Sequence, residues 1–209
     1  MNNQHTVAVW DIFIRIFHWS LVVAFTVAYF TSEEENAWHI YAGYTVLGLI
    51  IFRILWGIIG SRHARFSDFV RSPGTVYRYI RELRAGSAKH YVGHNPLGGW
   101  MVMALLSTLL VVTVSGLKVY AIEEGRGPLA ANPTTLSLIS AAHAEEDDEE
   151  DGKAETQSQD EEFWEEIHEG ATNFMLVLIA LHVVGVFVSG RAHNEHLIKA
   201  MLTGKKSIK

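Results

Sequence analysis

The chain of 209 residues contains no cysteine. This excludes disulfides, thiolate zinc sites, iron–sulfur clusters held by cysteine and covalently attached c-type haem. Charged residues make up only 19% of the chain and the formal net charge is −6. These values exclude a disordered, highly charged chain, and they argue against nucleic acid as a partner, because its binders carry a basic surface. Only four prolines interrupt the sequence, as expected for long helices.

Apolar residues, which make up 49% of the chain, are concentrated in four blocks at 12–30, 40–60, 97–117 and 170–190. Each block is about 20 residues long, the length at which a helix crosses the hydrocarbon core of a bilayer. Lipid allows only helices and closed barrels to span it, and these blocks are too continuously apolar for barrel strands. The sequence therefore predicts an all-α integral membrane four-helix bundle. The first block lacks a basic leader and a cleavage site, so we expect it to be retained as a helix.

Basic residues indicate the orientation of the bundle. Segment 61–96 and the C-terminal tail are rich in arginine and lysine, whereas segments 31–38 and 118–169 are acidic. Basic loops of membrane proteins remain in the cytoplasm. We therefore expect one transmembrane domain covering residues 1–209, with both termini and the basic loop 61–96 cytoplasmic and the acidic loop 118–169 periplasmic.

The two large loops differ in composition. Residues 72–86 place Val76, Tyr77, Ile80 and Leu83 at helical spacing, with arginines on another face, which predicts a short interfacial helix between helices two and three. Residues 145–162 form a low-complexity acidic run. This run cannot bury enough apolar surface to fold alone, so we expect no stable structure there.

Four histidines lie inside the apolar blocks or at their ends, where an ionisable group is costly and usually has a partner in the bundle. They are His18, His39, His168 and His182. Since helix one runs outward and helix four inward, His18 and His182 fall in the cytoplasmic half, and His39 and His168 near the outer surface. His168 and His182 are 14 residues apart, so they share a helix face at levels roughly 21 Å apart.

Pairs of imidazoles from facing helices are the ligands that suit a non-covalent, electron-carrying b haem. The nearby Gly43 and Gly185 would leave space for a flat macrocycle. For any single histidine, a helix–helix hydrogen bond or a proton site is the alternative. Zinc usually takes three or four ligands at one centre and fits two separated levels poorly. The sequence thus favours two b haems, one between each pair of histidines.

The sequence supports hypotheses for two further residues and one pair. Arg53 lies 14 residues after His39, shares its helix face, and either contacts a haem propionate or extends to the cytoplasmic interface. His94 either handles protons at a quinone pocket or caps helix three, and the cap is the favoured interpretation. Asp11 and Arg15, four residues apart, predict an ion pair.

Several motifs resemble the prokaryotic cytochrome b561 family, which includes the b-type cytochrome subunits of nickel hydrogenases. They are VWDIFIRIFHW at 9–19, GSRHARFSDF at 60–69, GHNPLGGWMV at 93–102, HEGATNFMLVLIALH at 168–182 and HNEHLIKAMLTGKK at 193–206. The resemblance covers nearly the whole chain and implies a four-helix membrane bundle with two b haems. Its ligand pattern maps onto His18, His39, His168 and His182. The acidic run within 143–162 departs from the family pattern.

Together these observations predict an electron carrier of the bacterial cytoplasmic membrane, in contact with lipid and respiratory in role. It would connect the quinone pool with a periplasmic c-type cytochrome or a hydrogenase subunit, and the acidic run 145–162 would steer a basic partner or simply keep the outer face soluble. No catalytic residue is predicted, and the chain is either an electron-transfer subunit or a quinol-linked oxidoreductase. The alternative function is a metal or proton transporter that uses the intramembrane histidines.

Overall fold

A computed structural model describes residues 5–32, 37–130 and 149–208 of the chain. The helices are α1 (Ile12–Phe30), α2 (Ala37–Ile59), α3 (Phe66–Phe69), α4 (Pro73–Arg84), α5 (Pro96–Glu123), α6 (Glu149–His193) and α7 (Leu197–Thr203), with a 3-10 turn at Arg62–Ala64. Two short strands, β1 (His5–Ala8) and β2 (Lys205–Ile208), complete the described elements. Of the described residues, 78% are helical, so the fold class is all-α as predicted.

Four helical segments are long and apolar enough to cross a membrane: α1, α2, α5 and the part of α6 from Ser158 to His193. Their outward surfaces are apolar too, and Val23, Ile58 and Phe187 are 62%, 64% and 63% exposed. Apolar surface of this extent is rare on soluble monomers and is what lipid contact requires. The predicted membrane helical bundle is therefore confirmed as the fold class. The cytoplasmic and periplasmic assignments of the loops stay predictions.

The chain packs as two units. The first comprises Met1–Ser107 and Leu176–Lys209, and the second comprises Thr108–Met175. In the first unit α1 packs against α2, and the buried side chains include Phe17 and Ile50. In the second unit the buried side chains include Leu109 and Met175.

The two ends of the chain meet in the first unit. Strands β1 and β2 pair antiparallel, with His5 opposite Ile208 and Ala8 opposite Lys205. At the start of β2, the carbonyl of Gly204 accepts hydrogen bonds from the main-chain N–H groups of Val9 and Trp10, at 2.9 and 3.2 Å. Gly204 has a φ of +78°, and a Cβ atom there would lie 2.6 Å from the carbonyl oxygen of Trp10, so both conformation and space require glycine.

A buried ion cluster anchors this C-terminal segment. Lys206 is only 6% exposed, and its Nζ lies 2.8 Å from Oε2 of Glu195 and donates to the carbonyl of Tyr91 at 2.8 Å. His90 contacts the other carboxylate oxygen of Glu195. A buried lysine is tolerated only when it is paired in this way.

Helix α1 begins at a hydrogen-bonded aspartate. The carboxylate of Asp11 accepts from the main-chain N–H of Ile14 at 2.9 Å, from Nε1 of Trp56 at 3.1 Å and from the hydroxyl of Ser61. It therefore both caps α1 and ties it to the end of α2. The predicted ion pair with Arg15 is not among the salt bridges of the described residues, since these donors occupy the carboxylate.

The predicted short helix between the second and third spans exists as α4, with Pro73 at its start. Its buried anchor differs from the predicted face, because Tyr79 is 2% exposed whereas Tyr77 is 66% exposed. The Tyr79 hydroxyl lies 3.4 Å from Nε2 of His193. The other predicted residues, Val76, Ile80 and Leu83, are half-buried, so the buried side of α4 is the predicted face with Tyr79 in place of Tyr77.

The acidic run is helical where the structure describes it, so the expectation of no stable structure is wrong for residues 149–162. These residues form the first turns of α6 and continue directly into the fourth apolar segment. Helix nucleation is the costly step and extension of an existing helix is not, so an acidic sequence can be helical as an extension. Residues 145–148 of the run, and the acidic residues 33–35, lie outside the described residues.

Candidate functional site

His18 on α1 and His182 on α6 both lie in the first unit. Both side chains are half-buried, and the imidazoles lie close enough for their charges to interact. Nδ1 of His18 is buried and finds no hydrogen-bond partner within the described chain. The structure thus brings together the two histidines predicted for the cytoplasmic half.

Arg53 is buried in the same unit and lies close enough to His94 for their charges to interact. It is 3% exposed, and its guanidinium carbon lies 4.7 Å from the ring centre of Phe66 and 5.9 Å from that of Phe69. The Phe66 ring reaches α2 because residue 57 is glycine: a Cβ atom there would lie 2.1 Å from the ring. Nη1 of Arg53 is buried without a hydrogen-bond partner in the described ranges. Arg53 is thus covered by aromatic rings of the loop 61–96, and its contact with a haem propionate stays a prediction.

His94 lies between two aromatic rings, 4.6 Å from Trp10 and 4.7 Å from Phe69 between ring centres. Burial, with a smaller contribution from the neighbouring charges of Arg53 and His182, lowers its pKa to about 3, so the imidazole is neutral at pH 7. The favoured interpretation as a cap of helix three is wrong. Oδ1 of Asn95 accepts the main-chain N–H of Gly98 at 2.7 Å and caps α5 instead.

Four buried nitrogen atoms in the first unit lack a hydrogen-bond partner among the described residues. They are Nε of Arg15, Nδ1 of His18, Nη1 of Arg53 and Nδ1 of His94. Two of the four belong to guanidinium groups, which only donate. Buried donors left unpaired are costly, and the buried positive charge of Arg53 favours an anionic acceptor. A carboxylate-bearing ligand such as a haem, which also offers iron to imidazole, fits this donor set.

His39 on α2 has a defined tautomer. Its Nδ1 lies 2.9 Å from the carbonyl oxygen of Ala28, which can only accept, so Nδ1 carries the hydrogen. The lone pair of the ring is then on Nε2. Histidines that bind a metal through Nε2 usually donate the hydrogen on Nδ1 to a carbonyl or carboxylate in this way.

His168 on α6 shows the same arrangement in the second unit. Its Nδ1 donates to the carbonyl of Val112 at 2.9 Å and lies 3.2 Å from the hydroxyl oxygen of Ser115. That hydroxyl itself donates to carbonyls of its own helix, those of Val111 and Val112, so it can accept from the imidazole. Nε2 is again the ring position with the lone pair.

Gly116 makes room for His168 and was missed by sequence reasoning, as was Ser115. A Cβ atom at position 116 would lie 2.8 Å from Cε1 and 3.1 Å from Nδ1 of His168. Such distances essentially never occur between a real Cβ atom and its neighbours, so any larger residue would displace the ring. The signal in the sequence is a glycine inside an apolar helix, which often has a packing reason.

Gly43 and Gly185, which were expected to leave space, are indeed open. A Cβ atom on either would meet no atom within 4 Å in the described part of the chain outside its immediate backbone. Both glycines belong to the first unit, with His39 one turn before Gly43 and His182 three residues before Gly185. His39 lies in the first unit and His168 in the second.

Acidic side chains gather on the second unit. Carboxylate oxygens of Glu123, Glu161 and Glu165 come within 4.8 Å of one another. Nearby in this unit, Nζ of Lys118 lies 5.8 Å from the ring centre of Trp164. The acidic character predicted for this part of the sequence therefore extends to α5 and to the described side chains of α6.

The model of the prokaryotic cytochrome b561 family matches residues 9–204. No curated protein and no solved structure matches the chain. The match spans the four apolar helices and includes His18, His39, His94, His168 and His182.

Proposed function

The chain belongs to the prokaryotic cytochrome b561 family, a family of b-type haem membrane electron-transfer proteins, and on this premise we propose that it holds two haems and carries electrons across the bacterial cytoplasmic membrane. Haem supplies reversible one-electron chemistry when bound. The protein supplies the ligands, the surrounding polarity and the position of each cofactor. Its four apolar helices keep it in contact with membrane lipid.

His18 and His182 are the proposed axial ligands of the inner haem. The observation that carries this proposal is that His18 is one of four residues of the same unit with a buried nitrogen that lacks a hydrogen-bond partner among the described residues. Arg53 and Arg15 would hold the carboxylate groups of the haem, and His94, which is neutral, would donate a further hydrogen bond. One bound group would then account for the buried nitrogens of two arginines and of His94 that lack hydrogen-bond partners in the described chain.

His39 and His168 are the proposed axial ligands of the outer haem. In support, each Nδ1 donates to a main-chain carbonyl, which fixes the ring and keeps the Nε2 lone pair for coordination. Hydrogen bonding at Nδ1 also makes the imidazole a stronger electron donor to iron. Gly116 keeps the His168 ring in this orientation.

We propose the quinone pool as one electron-exchange partner and a periplasmic protein, a c-type cytochrome or a hydrogenase subunit, as the other. The acidic groups of Glu123, Glu161 and Glu165, together with the acidic start of α6, support a basic partner. Opposite charge accelerates encounter between redox proteins by long-range attraction. Between the two partner types, the acidic surface favours a basic c-type cytochrome.

A spectrum tests this function against transport by the intramembrane histidines. The protein purified in detergent should be red and should show sharp bands after reduction with dithionite. A quinol added to the oxidised protein in lipid vesicles should reduce it and produce the same bands. A colourless protein would contradict the proposal and favour a transporter, whereas bands that appear with dithionite but not with quinol would remove only the quinone assignment.

A further inference from the structure

Thr172 carries a buried hydroxyl with no apparent function in the protein itself. The residue lies on α6, four positions after His168, and both belong to the second unit. Its Oγ1 is fully buried and has no hydrogen-bond partner in the described ranges, and it is the one buried side-chain hydroxyl in this condition there. An unpaired buried hydroxyl costs free energy, so its persistence calls for an explanation.

Other hydroxyls in these helices show what a threonine or serine normally does. They donate to the carbonyl four residues earlier, at 2.7 to 2.9 Å, as in Thr26 to Val22, Thr45 to Tyr41, Thr113 to Leu109, Ser115 to Val111 and Thr203 to Lys199. This bond is the local default for a hydroxyl in an apolar helix. The equivalent acceptor for Thr172 is the carbonyl of His168, and that bond is not made. The hydroxyl is therefore directed elsewhere.

The position of Thr172 on α6 indicates the direction of its hydroxyl group. Residues four apart share a helix face, so Thr172 lies one turn from His168 on the same side of α6. Side chains of a helix lean towards its N-terminus, which inclines Thr172 towards His168. His168 is oriented through Nδ1 by Val112, with its lone pair on Nε2. A group bound at that imidazole would lie against the face that carries Thr172.

We propose that the Thr172 hydroxyl donates its hydrogen towards the haem held by His168 and raises the reduction potential of that haem. The inference rests on the proposed function. A donor directed at the cofactor places the positive end of its dipole near the added electron, so it stabilises the reduced form. In a site of low dielectric constant this effect is larger than in water. The hydroxyl is then paired in the complete protein, which accounts for its lack of a partner in the chain.

The test compares three variants by redox titration of the purified, haem-loaded protein. Thr172→Val removes the hydroxyl at nearly constant shape, and Thr172→Ser keeps it. Thr113→Val is the matched control, because Thr113 is a buried threonine of the same unit whose hydroxyl donates to Leu109 at 2.7 Å. Resonance Raman spectra of each variant report the electronic state of the haem independently of electron-transfer activity.

We expect Thr172→Val to retain both haems and to lower the reduction equilibrium constant of one of them by about threefold to tenfold, the size of a net hydrogen bond. Tenfold corresponds to about 59 mV for a one-electron couple. The affected haem should be the one that His168→Ala removes. Thr172→Ser should restore the potential, and Thr113→Val should leave both potentials unchanged.

Three results would overturn the inference. They are unchanged potentials in Thr172→Val with both haems bound, a shift confined to the haem that His18→Ala removes, and an equal shift in Thr113→Val. If Thr172→Val fails to fold, the same comparison is made with Thr172→Ala. A different result would contradict the proposed function itself, namely a wild-type protein that binds no haem or only one.

Discussion

A Cβ atom on Gly116 would lie 2.8 Å from Cε1 of His168, so the orientation of this imidazole depends on the absence of a side chain on the neighbouring helix. The ring is also held by the carbonyl of Val112, one turn earlier on the same helix as Gly116, which lies 2.9 Å from Nδ1 of His168. Together these contacts leave His168 one orientation. A ligand histidine must be fixed in this way, because its ring plane and tautomer decide where the lone pair points.

Gly116→Ala should therefore disturb the outer haem. The added methyl group would displace the His168 ring and break its bond to Val112, and we expect loss of one haem or a change from two histidine ligands to one. Absorption and electron paramagnetic resonance spectra measure both outcomes. Gly170→Ala is the control, because position 170 is also helical and a Cβ atom there meets nothing within 4 Å in the described chain. Identical spectra for the two variants would show that Gly116 has no role in placing His168.

Arg53→Met should weaken the inner haem and spare the outer one. If Arg53 pairs with a haem carboxylate, its removal costs a charged hydrogen bond, about 1.5–3 kcal/mol, or a factor of ten or more in haem affinity. Transfer of haem to a scavenger protein measures this loss. Arg62→Met is the control, because the Arg62 side chain is 79% exposed.

In the haem-free protein, by contrast, Arg53→Met should not lower the stability. There the buried guanidinium is an uncompensated charge, and its replacement by a methionine of similar size should leave stability unchanged or raise it. Inner-haem retention equal to that of the wild type would argue that Arg53 does not contact the cofactor.

Asp11 should make the stability of the protein fall at acid pH. Burial by itself would raise its pKa, but hydrogen bonds from Ser61, from the Ile14 N–H and from Trp56 outweigh it and hold the pKa below the ordinary 3.8. Because the folded state then binds fewer protons than the unfolded state, this contribution is present above about pH 4 and is lost as the pH falls through the lowered folded-state pKa.

Asp11→Asn keeps a capping side chain and removes the charge. We expect it to lower the stability at pH 7 by about 1 kcal/mol and to flatten the dependence on pH below 4. Urea unfolding in detergent between pH 3 and 7 measures both. Asp160→Asn, at an exposed position, should change neither. A full acid dependence retained in Asp11→Asn would assign it to other groups.

The acidic start of α6 should increase the encounter rate with a basic redox partner. Replacing Glu149, Glu150 and Asp151 by their amides retains the helix and removes negative charge. We expect the rate of electron transfer to a basic c-type cytochrome to fall about tenfold at low salt. The wild-type rate should approach that of the variant as the Debye length shortens to ~10 Å and below. Deletion of residues 145–160 should give the same result if His168 and its preceding turn remain.

Equal rates for wild type and variant at low salt, with both haems bound, would show that this segment does not dock a partner. Loss of the outer haem on deletion would instead show that the segment is structural.

The hydrophobic pattern and the residue types of the sequence predicted the spanning helices and the candidate ligands. The features that depend on contacts between distant residues could not be predicted. Long apolar blocks specify spanning helices almost regardless of context, and histidines at membrane depth stand out because they are costly. The helical state of residues 149–162 could not be predicted, because it comes from continuity with an apolar helix rather than from the acidic sequence. The partners of Asp11 could not be predicted either, since Trp56 and Ser61 lie 45 and 50 residues away.

At the candidate site, the proposed ligand residues could be predicted from the sequence, whereas the residues that hold them in position could not. The four histidines and Arg53 are unusual residues in apolar blocks, so the sequence alone singles them out. Ser115 and Gly116 are ordinary residues of an apolar helix, and only the position of His168 beside them gives them a function. His94 was placed by its motif, but its burial between two aromatic rings depends on Trp10 and Phe69, which are distant in the sequence.

The histidine pairs should be separable. His18→Ala and His182→Ala should each remove the inner haem, and His39→Ala and His168→Ala should each remove the outer one. Difference spectra of the four variants, reduced minus oxidised, should therefore fall into two classes. If His18→Ala and His168→Ala abolished the same spectral component and left the other intact, the pairing would be wrong.

The most direct test of the central claim is the number of haems per chain, measured by the pyridine haemochrome assay on the purified protein with the protein quantified by amino-acid analysis. The account predicts two non-covalent haems in the wild type, extractable because the chain has no cysteine for attachment, and one in each single histidine variant. One haem or none in the wild-type protein would contradict it.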